Sequence, residues 1–208
     1  MTDNAPMNRP VALIPYVLLA AFVASGTLWY LGDLRAQRGT ASVATGETVT
    51  LGGPFSLTDQ NGMVRTNADF SGKYTLVFFG YTYCPDVCPA TLAIMSAALD
   101  KMGSRGEQIV PIFITVDPKR DTAEKIKSYL SSFGTRFVGL TGEPDKIAAV
   151  AKEYRVYYRE HPAEDGGAYT VDHSGVVYLM DPSGKFIANY SLDTSPDMLA
   201  ADLLKRLG

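Results

Sequence analysis

Thiols and imidazoles are scarce in this chain: 208 residues hold two cysteines and two histidines. A closed structural zinc site takes four such ligands, so this sequence offers little to build one. An excess of positive charge is also missing. Nineteen Lys and Arg stand against 22 Asp and Glu, a net charge of −3. Sequence-independent nucleic-acid binding needs a concentrated basic surface, so nucleic acid is not an expected partner. No internal repeat is visible. Charge vanishes altogether from residues 11–31, which read VALIPYVLLAAFVASGTLWYL.

That uncharged run has the length a helix needs to cross a bilayer, about 20 apolar residues. Trp29 and Tyr30 near its end suit an interfacial belt, and Arg9 and Asp33 bracket it. A cleaved leader has a shorter apolar core, roughly 7–15 residues, with a small-residue cleavage site close behind. Here the nearest such site, Ser42-Val43-Ala44, lies well downstream. No polar face interrupts the run, which argues against a buried core helix. One membrane helix over residues 11–31 is expected, after a tail at 1–10. Arg9 on one side and Arg35 and Arg38 on the other leave its orientation undecided by charge.

Residues 32–46, small and polar, read as a tether, and a single folded domain is expected over 47–208. Asn61-Gly62 between apolar flanks marks an N-terminal hairpin. Residues 75–79 and 110–116 are apolar runs that suit strands covered on both faces. Leu92, Met95, Ala98, Leu99 and Met102 recur at helical spacing, with Gly103 as a stop. Further helices are expected over 122–133 and 143–154 and from Ser195 to the C-terminus; short strands are expected at 137–140, 176–180 and 185–190. The stretch 160–168 reads as a polar loop. This order predicts an α/β domain of three layers around a mixed central sheet, of thioredoxin-like architecture.

Both cysteines fall in one motif, Cys84-Pro85-Asp86-Val87-Cys88-Pro89, between the first long strand and the following helix. As a disulfide, so short a loop would contribute only about 2 kcal/mol, a weak staple for a domain with its own core. A helix N-terminus favours thiolate, and an i, i+4 spacing brings two sulfurs to one face. The pair therefore suits thiol–disulfide exchange or capture of a thiophilic metal. Oxidoreductases of the thioredoxin type separate their cysteines by two residues, not three. Two thiolates plus an imidazole suit copper in both of its common oxidation states.

The imidazole is supplied by His173, 85 residues after Cys88 and just before the apolar run Val176–Met180. Thioredoxin-like folds place a cis-proline there, beside the cysteine pair, and this chain has none at that point. The bland alternative is a histidine that caps a turn. Asp172 is placed to orient the ring or tune its charge. His161, in a polar loop beside Pro162, is expected in solvent, and Met95, Met102 and Met180 are expected in the core. The turn Asp117-Pro118-Lys119-Arg120-Asp121 reads equally as a helix cap or as a charged rim at the cysteine edge.

Taken together, Phe79-Gly-Tyr-Thr-Tyr-Cys84-Pro-Asp-Val-Cys88-Pro89, Val116-Asp-Pro-Lys-Arg-Asp-Thr122 and Val171-Asp-His173-Ser resemble the Sco/SenC family. The likeness covers nearly the whole expected domain. It implies a membrane-tethered copper metallochaperone that helps assemble the dinuclear copper centre of cytochrome c oxidase subunit II. Cys84, Cys88 and His173 would be the metal ligands, with Asp86 joining Asp172 as a neighbouring carboxylate. The resemblance also implies an inner-membrane protein whose soluble domain faces the periplasm, with a copper donor and a thiol reductant as further partners. A reductase acting on the oxidase cysteines, or a redox or copper sensor, would use the same residues. A peroxidase is disfavoured, because Tyr81 stands where that chemistry places a threonine.

Overall fold

The computed structural model of the chain describes residues 50–163 and 167–207. The membrane helix and tether expected at 1–46 lie outside the described residues. Among the described residues no helix is long and apolar enough to cross a membrane.

The described elements run β1 (Ser56–Asp59), β2 (Val64–Thr66), β3 (Tyr74–Gly80), α1 (Val87–Lys101), β4 (Ile109–Thr115) and α2 (Ala123–Leu130). They continue through β5 (Val138–Thr141), α3 (Pro144–Glu153), β6 (Tyr158–His161), β7 (Thr170–His173), β8 (Val177–Met180), β9 (Phe186–Tyr190) and α4 (Pro196–Leu207). Seven strands form one mixed sheet in the order β2-β1-β5-β4-β3-β8-β9. β3, β4 and β5 are parallel neighbours, while β1, β2, β8 and β9 pair antiparallel. β3 lies inside the sheet, between β4 and β8, and six of its seven residues are buried, which is why its sequence does not alternate.

Successive side chains of β3 serve opposite faces. Phe78 packs near Phe113, which meets Tyr129 of α2, and α1 and α4 contact each other in the same layer. Phe79 faces the other way, 5.2 Å from the ring of Tyr154 at the end of α3. Three layers result, as the pattern predicts. Gly139 permits the tight seat of α2 on β5: a methyl there would fall 2.2 Å from Ile126 and 2.6 Å from Leu130. In the N-terminal hairpin, Gly62 takes φ +81° and Asp59 accepts the amides of Asn61 and Met63, so Asn-Gly marks the turn for the expected reason.

One expectation fails. The stretch read as a loop over 160–168 begins as a strand: β6 pairs with β7 in a separate two-stranded ribbon, with Tyr158 opposite His173 and His161 opposite Thr170. Its residues are polar because little of it is buried, so it lacks the apolar alternation that announces a strand. α1 starts at Val87, with Pro89 in its first turn where a missing N–H costs little.

Candidate metal centre

The C-terminal end of β3 leads directly into the cysteine loop. Gly80, the last residue of the strand, is a spatial requirement: a Cβ there would sit 2.7 Å from Cys88 Sγ and 3.0 Å from the Phe113 ring. Cys88 lies in the first turn of α1 and is fully buried, whereas Cys84 precedes the helix and is half-buried. The two sulfurs therefore do not share a helical turn, as simple i, i+4 spacing suggests. Instead the loop folds back, and the Cys88 amide donates to Cys84 Sγ at 3.4 Å. Both thiols are free.

His173 ends β7 and brings its ring to the same place. Its Nε2 lies 3.2 Å from Cys88 Sγ. The ligand atoms of Cys84, Cys88 and His173 all fall within 4.8 Å of one another, the sole group of its kind among the described residues. The ring stands edge-on to Phe78 and Tyr81, with centroids 5.9 Å away in each case. Its Nδ1 faces the carbonyl oxygen of Ser174 at 3.3 Å, the second-nitrogen contact that fixes a ligating imidazole.

The two neighbouring carboxylates take other positions. Successive residues of β7 point to opposite faces, so Asp172 turns away from His173 and its Oδ2 lies 2.9 Å from His161 Nε2. Asp86 is exposed, and its side chain makes no capping bond; its backbone amide serves Cys84. His161 stands outside the three-residue group, and Met95, Met102 and Met180 are buried in the core.

The cysteines are electrostatically unlike. The bond from Cys88, aided by His173 and by the amides of Cys88 and Asp86, pulls the Cys84 thiol from 9.0 down to about 3. Its partner moves the opposite way, because a proton shared towards the Cys84 thiolate and deep burial both hold Cys88 in the thiol form. The metal-free site thus carries one thiolate and one thiol. Two soft sulfurs and one imidazole, without a fourth His, Cys, Asp or Glu at hand among the described residues, suit copper far better than closed tetrahedral zinc.

The turn 117–121 settles into both of its readings. Thr122 caps α2 by accepting the Lys125 amide at 3.3 Å. Asp121 is wholly buried under the cysteine loop, where it accepts from the Thr82 amide at 2.9 Å and from the Thr82 and Thr115 hydroxyls at 2.6 Å each. Its burial pushes the carboxyl pKa up. Lys119 and Arg120 reach the ribbon: Lys119 Nζ lies 2.7 Å from Glu160, and Arg120 donates to the Tyr169 carbonyl oxygen at 2.7 Å. Sequence reasoning missed Gly80, Tyr81 and Tyr169, and it named Asp121 within its turn without foreseeing its burial. Only the buried acid had a legible signal, two aspartates flanking Pro-Lys-Arg directly after an apolar strand.

Comparison with known proteins agrees with this geometry. The profile of the SCO1/SenC family matches residues 43–208. The chain is 38% identical over 209 residues to Protein SCO1 homolog 1, mitochondrial, of Arabidopsis thaliana, covering 95% of this chain and 62% of that protein. It therefore spans less than two thirds of that relative. Bradyrhizobium japonicum ScoI, solved with copper bound, is 49% identical with a TM-score of 0.70, over 74% of this chain and 98% of that one. Yeast Sco1, also solved with copper bound, is 36% identical with a TM-score of 0.71, over 76% and 88% of the two chains.

Proposed function

Because this chain belongs to the SCO1/SenC family, we propose that it carries copper on Cys84, Cys88 and His173 and delivers it during cytochrome c oxidase assembly. The acceptor is the dinuclear copper centre of subunit II. Residues 11–31 anchor the protein in the inner membrane, and the domain from 47 onward works in the periplasm, where a copper donor loads it and a thiol reductant keeps the pair reduced. One observation carries this reading: three donors of copper-like softness converge within 4.8 Å at the end of β3.

Copper is the cargo, and the residues do the rest. Cys84 already presents a thiolate, so loading displaces one proton from Cys88, and the ribbon supplies an imidazole nitrogen. Acid competes with metal for these groups, so affinity falls on acidification. Delivery follows by ligand exchange with an acceptor that offers sulfur and nitrogen of its own.

Thiol–disulfide exchange is the second reading, favoured by the asymmetry of a half-exposed sulfur beside a buried one. Its direction is the difficulty. Hydrogen bonds that stabilise the thiolate stabilise the reduced pair, which makes a dithiol a weak reductant. Anaerobic copper titration of the reduced protein, followed by mixing with a soluble subunit II fragment in its dithiol form and, separately, in its disulfide form, separates the two, because a mixed disulfide arises only by thiolate attack on the disulfide form. One copper bound and then transferred supports delivery; a mixed disulfide through Cys84, with no copper moved, overturns it.

A further inference from the structure

A single guanidinium touches both halves of the site. The Arg120 guanidinium carbon lies 3.6 Å from the Tyr169 ring centroid, 5.0 Å from that of Tyr83 and 5.7 Å from that of Tyr81. Tyr81 and Tyr83 belong to the cysteine loop, and Tyr169 leads into the histidine strand. The hydrogen bonds close the same circuit. Arg120 Nε donates to Asp117, whose carboxylate is buried, while a second guanidinium nitrogen donates to the Tyr169 carbonyl oxygen at 2.7 Å. The Tyr169 hydroxyl donates to Asp117 at 2.7 Å, so the two residues clamp one another through a shared carboxylate.

The ribbon needs such a clamp. β6 and β7 pair only with each other, outside the main sheet, and a two-stranded hairpin alone is marginal in water. Its docking decides whether the imidazole stands within reach of sulfur. The other charged tie, Lys119 to Glu160, joins side chains 61% and 44% exposed, where ion pairs contribute little. The Tyr81 hydroxyl adds a hydrogen bond with the Val171 amide, and its ring meets His173 edge-on. Arg120 lies behind that ring and over Tyr169 at once, and only a planar fork fills this place with directed bonds and face-on contacts together.

We infer that Arg120 is the positioning residue of the metal centre: it fastens the histidine ribbon to the cysteine loop and thereby sets the reach of His173 to the sulfurs. It touches no ligand atom. Its effect is selective, because the thiolate pair stands without it and the imidazole does not. The metal arm of this inference rests on the copper reading above; the structural arm does not.

The test compares the full wild-type chain with Arg120→Met, Arg120→Lys, His173→Ala and the Arg120→Met/His173→Ala double variant. Arg120→Met lowers Cu(II) affinity at least about tenfold, as outer partners of ligating histidines do, while Cu(I) affinity stays within about threefold. Backbone amides of Thr170–His173 exchange faster with solvent in the metal-free variant. Arg120→Lys, which keeps charge but not the fork, falls between, and it carries the comparison if Arg120→Met does not fold. The double variant binds Cu(II) as His173→Ala does, since nothing remains to be positioned. An unchanged Cu(II)-to-Cu(I) ratio, or ribbon amides that exchange as in the wild type, overturns the assignment. Should the wild-type chain take up no copper, the copper reading falls, and amide exchange alone decides whether Arg120 holds the ribbon.

Discussion

The cysteines and the histidine are mounted differently. Cys84 and Cys88 stand where a buried inner strand, β3, meets the first turn of the longest described helix, with Phe78, Phe113 and Gly80 packed beneath them. His173 stands on a ribbon that shares no strand pairing with that sheet and is tied down by one buried side chain, Val171, and by a handful of polar contacts. Two ligands are thus part of the core, and the third is fastened to it. The proposed role, in which the site holds an ion and later surrenders it, would profit from this difference, because the ribbon pairs with no strand of the main sheet.

The largest way to break the comparison is to remove a fixed ligand. Cys84→Ser or Cys88→Ser should lower Cu(I) affinity well beyond the roughly 10–100-fold that outer partners cost, as read by competition with a chelator. Removing the fastened ligand should be gentler and selective. His173→Ala should lose about 100-fold in Cu(II) affinity yet keep Cu(I) within about tenfold, because two thiolates already suit the softer ion. Equal losses for both ions would dissolve the distinction.

Smaller effects sharpen it. Gly80→Ala, whose methyl would meet Cys88 Sγ at 2.7 Å, should cost about 1–3 kcal/mol of overpacking, read from denaturant unfolding of the metal-free protein. The thiols should also part company with pH. Cys84 has its folded value lowered to about 3, so its stabilising thiolate is complete above the unfolded thiol value and is lost as pH falls through the folded one. Alkylation by iodoacetamide should therefore hit Cys84 first, at a rate nearly flat between about pH 5 and 8. A rate that climbs with pH over that range would contradict the depressed value. The smallest effect belongs to Lys119→Met, which breaks an exposed ion pair of the ribbon and should change stability by less than about 1 kcal/mol.

The sequence carried the fold and the donors but not the mounting. Central strands were legible because β3 and β4 are covered on both faces and contain almost nothing polar. Cys84 and Cys88 announced themselves by spacing and by their place before a helix. His173 followed from the missing proline, a local sign of a long-range contact. The ribbon was hidden because β6 buries too little to alternate. The roles of Asp86 and Asp172 were misleading for a related reason: adjacency in sequence suggested contact with the ligands, whereas strand pleating and exposure send both carboxylates elsewhere. Arg120 was visible as a charge, and nothing local reveals that three tyrosines from two segments meet on it.

The complete enclosure of Cys88 sets an order of departure. On the delivery reading proposed above, an incoming acceptor would meet the outer sulfur and the ring before the inner one, and Cys88 would be the last residue to release the ion. Cargo would then leave from the Cys84 side, and whatever receives it would have to grip the ion there first.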